Sequence, residues 1–315
     1  MSNPIASTSA AEDGLRDRRV IVTGASGFVG LHLCRALLLY GCDVHALSRS
    51  EPKIRDPKLH WHKIDLTNLE ATRTAFARIR ADFVWHLCSY AQGERELALV
   101  LPTFRGELET TVNVLVSATE IGCQRLIMAG SLEESDRNEI PSSPYAAAKA
   151  ASRSYAKMFH EFYGVPVVMT RIFMTYGPGQ SAKKVIPHAI TCMLGGGLLK
   201  IRSPGRRVDW LYVEDLVRGL LAVAVARDLE GISVDLGSGE LVEIADVMRR
   251  IQALINPNAP VEFGAYPERA LEQVRHADSA RTYALTGWRP TISLGAGLKQ
   301  TIAAYALETN YQTIT

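Results

Sequence analysis

Short apolar runs alternate with helix-length amphipathic segments through the first half of the chain. The runs are rich in β-branched residues and predict strands at 19–23, 43–47, 59–64, 83–87, 125–129 and 167–171. The segments between most of these runs predict helices at 29–40, 68–80, 95–121 and 145–163. Because strands that alternate with helices form crossover units, the expected fold class is α/β, with a doubly wound parallel sheet.

Beyond Gly177 this alternation is interrupted by glycines and prolines, as at Gly195-Gly196-Gly197 and Pro204-Gly205. We therefore expect a smaller α/β C-terminal lobe, with 208–240 returning to the large domain. The Ser/Ala-rich start of the chain predicts a disordered leader. The expected parts are a leader at 1–17, a dinucleotide-binding domain at 18–176 plus 208–240, and a lobe at 177–207 plus 241–315.

A glycine-rich turn follows the first predicted strand and opens the first predicted helix. Helix N-terminal amides in that position bind phosphate, which predicts a dinucleotide site. Gly24 is expected to permit the tight turn, Gly27 to let the backbone approach a pyrophosphate, and Gly30 to let the helix lie close to the strand. The same turn supplies the further predicted cofactor contacts Ser26, Phe28 and Val29. A tight turn that binds no ligand is the alternative.

The end of the second strand bears on the choice of cofactor. NAD sites of this type usually place Asp or Glu there to bind the ribose 2′-hydroxyl, whereas this chain has Ser48 and Arg49. A hydroxyl and a guanidinium suit a 2′-phosphate, so NADP(H) is favoured over NAD(H), with a solvated Arg49 as the alternative. Asp65 is expected near the adenine amine, or else as an acid at a helix N-terminus. Its neighbour Leu66 and the strand-end residue Leu87 are further predicted cofactor contacts, and the remaining two are Tyr145 and Lys149.

The composition is that of an ordinary globular enzyme, with 47% hydrophobic and 22% charged residues. The net charge of +2 comes without a clustered basic patch, which argues against a nucleic-acid surface. No apolar run is long enough to span a bilayer, and the start of the chain lacks the pattern of a signal peptide. The five cysteines form no CxxC pair and are expected to be reduced. We therefore expect a cytoplasmic protein without nucleic-acid or membrane partners.

The segment 142–149, SSPYAAAK, holds the predicted catalytic groups. Ser143 is expected to cap a helix, which places Tyr145 and Lys149 one turn apart on one face. A phenolate is favoured beside a fixed ammonium, so the pKa of Tyr145 is expected to fall toward the range of an acid–base catalyst. Ser131 ends the fifth strand, where ligands meet open α/β sheets, and its hydroxyl is expected to hold the substrate oxygen. A serine that only shapes the turn is the alternative.

These motifs follow one another in the order found in the extended short-chain dehydrogenase/reductases, which the chain resembles from about residue 18 to Pro290. The matching segments are TGASGFVG, Asp65-Leu-Thr, His86-Leu-Cys-Ser, Ser131, YAAAK, Arg171–Gly179 and Val208–Asp215. Members of that family act mainly on nucleotide sugars. The resemblance implies a Rossmann domain, a C-terminal lobe that binds a nucleoside diphosphate sugar, and a triad of Ser131, Tyr145 and Lys149.

The same resemblance implies contacts with the substrate and with a second subunit. Family members often form homodimers through the helices expected here at 95–121 and 145–163. The chain departs from the family pattern at Met174 and Val208, where an Asn and an Arg are usual, so other groups are expected to hold the substrate phosphates. The expected substrate contacts are Ser89, Gln92, Ser131, Arg207 and Arg275.

The neighbours of Ser131 bear on the reaction class. The family's 4,6-dehydratases carry acids directly after this position; here Leu132 stands there, and Glu133 follows where a dehydratase glutamate would be. The Gly-Ser-x-acid-acid pattern resembles that of reductases. The first expectation is therefore an NADPH-dependent reductase of a nucleotide-linked 4-keto-6-deoxyhexose, in which Tyr145 donates a proton as hydride reaches C4. A nucleotide-sugar 4-epimerase, a 4,6-dehydratase with Glu133 as catalytic base, and a catalytically silent NADP-sensing protein are the alternatives.

Overall fold

A seven-stranded parallel sheet forms the centre of the larger part of the molecule. The computed structural model describes residues 9–50, 56–91, 93–136, 138–266, 271 and 274–312. The described strands are β1 (Arg19–Thr23), β2 (Asp43–Ser48), β3 (Leu59–Lys63), β4 (Phe83–His86), β5 (Arg125–Ser131), β6 (Val167–Ile172), β7 (Met174–Tyr176), β8 (Leu199–Ile201), β9 (Arg207–Tyr212), β10 (Ser233–Leu236), β11 (Leu241–Glu243) and β12 (Val261–Phe263). The large sheet has the order β3-β2-β1-β4-β5-β6-β10, which confirms the predicted Rossmann-type α/β fold.

Helices cover both faces of this sheet and surround the smaller strands. The described α-helices are α1 (Ser9–Leu15), α2 (Phe28–Leu39), α3 (Leu69–Ile79), α4 (Val100–Thr103), α5 (Thr110–Ile121), α6 (Pro144–Tyr163), α7 (Val185–Leu194), α8 (Val213–Val225), α9 (Ile244–Ile255), α10 (Ser279–Thr286) and α11 (Leu294–Gln312). Within the described part of the chain, none of them combines the length and apolarity needed to cross a bilayer.

Each face of the large sheet buries its own hydrophobic cluster. Side chains alternate along β1, so that Val20 and Val22 belong to one cluster and Ile21 to the other. Full burial of an apolar side chain of this size stabilises the fold by about 1.5–3 kcal/mol. Because both faces are covered, the strands form near-continuous apolar runs, which is the pattern that predicted them.

The segment predicted as one helix over 95–121 is interrupted. It starts as a 3₁₀ turn at Leu97–Leu99 and passes through α4 into a π-helical turn at Phe104–Glu109 before α5. The wider turn needs extra support for its carbonyl groups, and Thr111 Oγ1 donates to the carbonyl of Glu107 at 2.6 Å. The turn directs the Glu107 side chain into the interior, where the residue is 1% exposed.

The smaller strands form separate sheets. β7, β9 and β11 make a three-stranded sheet, and β8 pairs in parallel with β12. Within the segment 208–240, β9 thus pairs with β7 and β11 while β10 joins the large sheet, and the domain boundaries expected from the sequence stay a prediction. The alternation along β9 gives the reason for its separate pairing, since Val208, Trp210 and Tyr212 pack in the cluster of the small lobe while Leu211 packs in a cluster of the large sheet.

The start of the chain is more ordered than the leader expected over 1–17. Its last part forms α1, in which Ala11 and Leu15 are buried. These two apolar residues are four apart, so one helical turn places both on the side that packs against α8. The expectation of disorder is corrected for Ser9–Leu15, and residues 1–8 lie outside the described part.

Candidate active site

The glycine turn between β1 and α2 leaves the start of the helix without a side-chain cap. Gly24 has a left-handed φ of +65°, and a Cβ there would lie 2.8 Å from the Cys88 nitrogen. A Cβ at Gly30 would lie 2.3 Å from the Gly24 carbonyl oxygen, so glycine is what allows α2 to approach the turn. Gly27 precedes the helix without a side-chain hydrogen bond to it. Uncapped amides at a helix N-terminus suit a phosphate, so the residues present fit a dinucleotide.

At the end of β2 the hydroxyl of Ser48 is already engaged. Ser48 Oγ lies 2.6 Å from Ser26 Oγ and accepts from the backbone N–H of Ser50 at 3.0 Å. The next residue, Arg49, is exposed. Among the described residues no acid stands at this strand end. The arrangement that favours NADP(H), an exposed arginine in place of an acid, is therefore present. The cofactor preference itself stays a prediction.

Asp65 is held by its own turn. Its Oδ1 accepts from the backbone N–H of Thr67 at 3.0 Å and from the Thr67 hydroxyl at 2.9 Å. The backbone hydrogen bond contributes most to the lowered pKa of Asp65. Asp65 lies three residues before Asn68, which caps α3, so it stands near a helix N-terminus as the alternative expected, and its contact with the adenine amine stays a prediction. Leu66 is buried and Leu87, just after β4, is half-buried, and their cofactor contacts stay predictions.

Tyr145 and Lys149 lie one turn apart at the start of α6. The helix begins at Pro144, and the hydroxyl of Ser143 accepts a hydrogen bond at 3.2 Å from a backbone N–H of the first turn. Lys149 Nζ donates to the carbonyl of Ala129 in β5 at 2.8 Å. The same ammonium lies 5.8 Å from the centre of the Tyr145 ring. The cap and the strand together hold phenol and ammonium at the carboxyl end of β5.

Ser131 is buried as the last residue of β5. Its backbone N–H donates to Glu134 Oε1 at 2.8 Å, and its Oγ accepts from the backbone N–H of Glu133 at 3.1 Å. The side chains of Ser131 and Ser89 lie close enough to the phenol of Tyr145 to act to lower its pKa, against the larger effect of burial, which raises it. The structure therefore brings the predicted hydroxyls next to the predicted phenol.

A buried carboxylate that the sequence analysis did not select completes this group. Glu107, in the π-helical turn, has Oε2 at 2.9 Å from Lys149 Nζ. Its Oε1 accepts from the hydroxyl of Ser89 and from the backbone N–H of Tyr90. If the segment is taken as a regular helix, nothing in the sequence distinguishes Glu107 from Glu109, which is less buried in the structure. The available signal was the Thr110-Thr111 pair that follows, since hydroxyls support irregular helical turns.

The charges around Tyr145 do not produce the lowered pKa that the spacing predicted. Burial raises the pKa of Tyr145, the Lys149 ammonium acts to lower it, and the Glu107 carboxylate adds to the rise. Burial also acts to lower the pKa of Lys149, but Glu107 raises it, and the net pKa lies above the usual value. Lys149 thus keeps its positive charge, but burial of the phenol, assisted by the Glu107 carboxylate, outweighs the effect of that charge, so the pKa of Tyr145 rises instead of falling.

A chain of buried hydrogen bonds supports the π-helical turn from the sheet. His86 Nδ1 lies 2.9 Å from Thr23 Oγ1, and His86 Nε2 lies 3.2 Å from Thr111 Oγ1. Burial lowers the pKa of His86 to about 3, so the ring is neutral at pH 7. Because Thr111 in turn donates to the carbonyl of Glu107, this chain links the turn that holds Glu107 to strands β1 and β4.

Glu133 is bound to the small lobe. Its Oε1 lies 3.2 Å from Arg206 Nη2, and its Oε2 accepts from the Ser142 hydroxyl at 3.4 Å. The side chain of Arg206 is 13% exposed, whereas the predicted substrate contact Arg207 is exposed at the first position of β9. The arginine brought to the β5–α6 loop is therefore Arg206, which the sequence analysis did not select. Adjacent residues of an extended chain point to opposite sides, so only one of the two can face the loop.

Arg275, another predicted substrate contact, binds the same loop. Its guanidinium donates to the carbonyls of Leu132, at 3.4 Å, and of Glu134. It also lies 3.2 Å from the carboxylate of Asp136. These contacts give Arg275 a structural task, and its contact with substrate stays a prediction. Gln92 lies outside the described residues.

Residues 20–237 match the family model described as the NAD dependent epimerase/dehydratase family. The chain is 27% identical over 334 residues to the dTDP-glucose 4,6-dehydratase of Haemophilus influenzae, covering 91% of this chain and 97% of that protein. It is 25% identical over 307 residues to the UDP-glucuronate 4-epimerase of Thermodesulfobacterium geofontis, covering 90% and 94%. The solved UDP-glucose 4-epimerase of Thermus thermophilus in complex with NAD matches with a TM-score of 0.81 and 25% identity, covering 91% of this chain and 99% of that one.

Proposed function

The chain belongs to the NAD dependent epimerase/dehydratase family, and we propose that within this family it acts as a nucleotide-sugar 4-epimerase. One observation carries the proposal. Ser131, Tyr145 and Lys149 meet at the end of β5, while the buried Leu132 occupies the position next to the serine. With a bound nicotinamide this set of groups supports reversible oxidation of an alcohol, and the residue directly after Ser131 is an apolar leucine rather than an acid that could assist an elimination.

In the proposed reaction the protein moves one proton at the C4 oxygen of the sugar. For this step Tyr145 must first lose its own proton to solvent; the phenolate then accepts the proton of the C4 hydroxyl as the carbon loses hydride, and returns it when hydride comes back to the opposite face. Ser131 hydrogen bonds to the same oxygen and orients the transient ketone. A bound nicotinamide supplies the hydride acceptor and, for the reverse step, the donor. Proton and hydride both leave and both return, so the product differs from the substrate only in the configuration at C4.

Lys149 and Glu107 form an ion pair beside the phenol, so their opposite charges compensate each other. Lys149 is bound to Ala129 and to Glu107, which keeps its ammonium in one place next to Tyr145. Because burial raises the pKa of Tyr145 and Glu107 adds to the rise against the opposing effect of Lys149, the protein groups alone leave Tyr145 protonated at pH 7. We propose that the pair positions the phenol and prevents loss of its proton until the reaction partners are in place.

A 4,6-dehydratase is the second candidate. The H. influenzae relative bears that name, and Glu133 follows Ser131 at the position expected of a dehydratase glutamate. Elimination of water needs groups that take the C5 proton and protonate the C6 hydroxyl. Leu132 can do neither, and the carboxylate of Glu133 is shared between Arg206 and Ser142. These contacts favour the epimerase.

The reductase expected first from the sequence now ranks below both. The relatives described above are named as a dehydratase and as epimerases. The acidic pair on which the reductase expectation rested also has a structural explanation. Glu133 binds Arg206, and Glu134 accepts from the backbone of Ser131, so both acids shape the β5–α6 loop.

For the cofactor, the family description names NAD, and the T. thermophilus structure contains NAD. The chain's own feature, Arg49 after Ser48, leads us to propose a preference for NADP(H). Arg49→Ala should then weaken NADP⁺ binding by about tenfold or more and leave NAD⁺ binding unchanged, since a charge-assisted hydrogen bond contributes about 1.5–3 kcal/mol. Calorimetric titration with both nucleotides measures this. Tighter binding of NAD⁺ than of NADP⁺ by the wild-type protein would show the preference to be wrong.

We further propose a homodimer through the helices expected for it. Exposed apolar side chains lie on both of them: Leu97, Leu101 and Phe104 on the segment before α5, and Tyr155 and Phe162 on α6. Clustered exposed apolar residues are typical of interaction surfaces. Light scattering should give the mass of two chains for the wild-type protein and of one chain for Leu101→Asp. A wild-type protein that is monomeric at high concentration would contradict the proposal.

Product analysis separates the three reactions. The purified protein is incubated with NAD⁺ or NADP⁺ and, in turn, with UDP-glucose, UDP-glucuronate and dTDP-glucose, and the products are identified by NMR. An epimerase forms an isomer of unchanged mass and reaches the same equilibrium from either isomer. A dehydratase forms a 4-keto-6-deoxy sugar with loss of water, and a reductase consumes NADPH when such a keto sugar is supplied. The isomer supports the proposal, and either of the other products overturns it.

A further inference from the structure

Three histidines and an aspartate cluster on the outer strands β2 and β3 of the large sheet, toward the amino-terminal ends of these strands. Asp43 and His45 alternate along β2, and His60 and His62 alternate along β3, so the four side chains lie on one face. The register pairs His45 directly with His60. The candidate active site lies at the opposite ends of these strands. The cluster is therefore independent of the function proposed above.

The donor atoms of three of these residues converge. Asp43 Oδ1 lies 2.9 Å from His60 Nε2, and Asp43 Oδ2 lies 3.5 Å from His45 Nε2. One donor atom from each residue fits within a mutual separation of 4.8 Å. A tetrahedral zinc ion with bonds of about 2.0–2.2 Å holds its ligands about 3.3 Å apart. The two separations given above start from different oxygens of Asp43, so the ligand atoms must move together slightly to surround an ion, and the exposed His60 ring can adjust.

The hydrogen bonding of His45 leaves one of its nitrogens available. His45 Nδ1 lies 2.9 Å from His62 Nε2, while the buried His45 Nε2 makes no hydrogen bond. In the tautomer whose Nδ1 proton is directed to His62, the ring presents a lone pair at Nε2. Histidines that bind metals have this arrangement, in which a partner on one nitrogen orients the other.

We propose that Asp43, His45 and His60 bind a divalent transition-metal ion, zinc in the first place, with His62 orienting the ring of His45. Two imidazole nitrogens and one carboxylate suit Zn²⁺, whereas Ca²⁺ and Mg²⁺ favour oxygen ligands. Three protein ligands leave a tetrahedral position for water. A surface cleft of about 440 Å³ admits solvent to the cluster and is lined by Arg19, His45, His60, His62, Arg78 and Ile79.

Arg19 is the group that competes with an ion here. Its Nε donates to Asp43 Oδ2 at 2.9 Å, and its side chain is 51% exposed. The guanidinium occupies one oxygen of Asp43, and the other oxygen faces His60. A metal ion therefore either binds through this second oxygen or displaces a solvent-accessible arginine. A network of hydrogen bonds that binds no metal is the rival explanation, and titration distinguishes the two.

The test is calorimetric titration of the full-length, tag-free protein with ZnCl₂. The wild-type protein should bind one ion saturably. His60→Ala should weaken binding by more than about 100-fold, since replacement of a residue that only orients a ligand already costs about 10–100-fold, the range expected for His62→Ala. His188→Ala is the matched control, because it replaces an exposed histidine on α7 and should leave the affinity unchanged.

Cobalt provides a second readout of the ligand set. Added Co²⁺ should produce the visible absorption of a tetrahedral site in the wild-type protein and in His188→Ala, and should not do so in His60→Ala. Circular dichroism establishes that each variant is folded. Failure of the wild-type protein to bind Zn²⁺ saturably would overturn the proposal. So would equal binding by the wild-type protein and His60→Ala, because His60 would then not be a ligand.

Discussion

The two ends of the large sheet both carry ionisable clusters, but the clusters balance their charges differently. At the carboxyl end the side chains of Glu107 and Lys149 are 1% and 6% exposed and neutralise each other. At the amino end Asp43 faces neighbouring imidazoles, and His45 Nε2 makes no hydrogen bond. We therefore expect the free energy of unfolding to fall sharply when either member of the buried pair is replaced. Replacement of one residue of the more exposed cluster should change it little, and that cluster has room for a cation.

Glu107→Gln is expected to have the largest effect, at the buried end. It leaves the Lys149 ammonium without its counter-charge, and breaking a buried ion pair lowers the free energy of unfolding by about 3–5 kcal/mol. Urea denaturation followed by circular dichroism measures the loss. Combining it with Lys149→Met removes both charges and should recover most of that loss. Simple additivity of the two single variants would show that the pair does not act as a unit.

Tyr145→Phe probes the chemistry of the same end. Turnover should fall by at least about 10²-fold, the usual contribution of a positioned acid–base group, while cofactor binding is unchanged. Steady-state kinetics and calorimetric titration measure the two quantities. The matched control is Tyr163→Phe at the end of the same helix, which replaces a residue 58% exposed and should keep full activity. Unimpaired turnover in Tyr145→Phe would remove Tyr145 from the mechanism.

A smaller effect at the buried end is expected in how the free energy of unfolding changes with pH. Burial lowers the pKa of His86 to about 3, against about 6.5 in the unfolded chain. The stabilisation that comes from the neutral His86 is fully present at pH values above the pKa of the unfolded chain. It is lost as the pH falls below that pKa, with a slope approaching about 1.4 kcal/mol per pH unit. Between pH 6.5 and 5, His86→Gln should therefore show a shallower decline in unfolding free energy than the exposed-site control His188→Gln. Identical slopes would contradict the assignment of a neutral His86.

His60→Ala is expected to have the smallest effect, at the amino end. His60 is 48% exposed at its side chain, so the unfolding free energy in metal-free buffer should change by no more than about 0.5 kcal/mol. The same urea denaturation measures it. A loss as large as that of Glu107→Gln would show that both clusters depend equally on each member, and the contrast between the two ends would disappear.

Several elements were predictable because their signals are local. The apolar runs reflect strands buried on both faces, the glycine turn reflects the left-handed φ of Gly24, and the start of α6 reflects the cap at Ser143. The features that were not predicted arise where distant parts of the chain meet. β9 pairs with β7 instead of joining the large sheet, and Ser9–Leu15 is ordered by packing on α8.

The sequence by itself determined the α/β class, the membership of the family, and the presence of Tyr145 and Lys149 one helical turn apart. These properties depend on hydrophobic periodicity and on residues within one turn of each other. Only the tertiary structure decided which charges meet, such as Glu107 with Lys149 and Arg206 with Glu133. Electrostatic interaction depends on distance and burial in space, and a pattern along the chain contains neither. The pKa of Tyr145 was therefore predicted wrongly even though the residue itself was found.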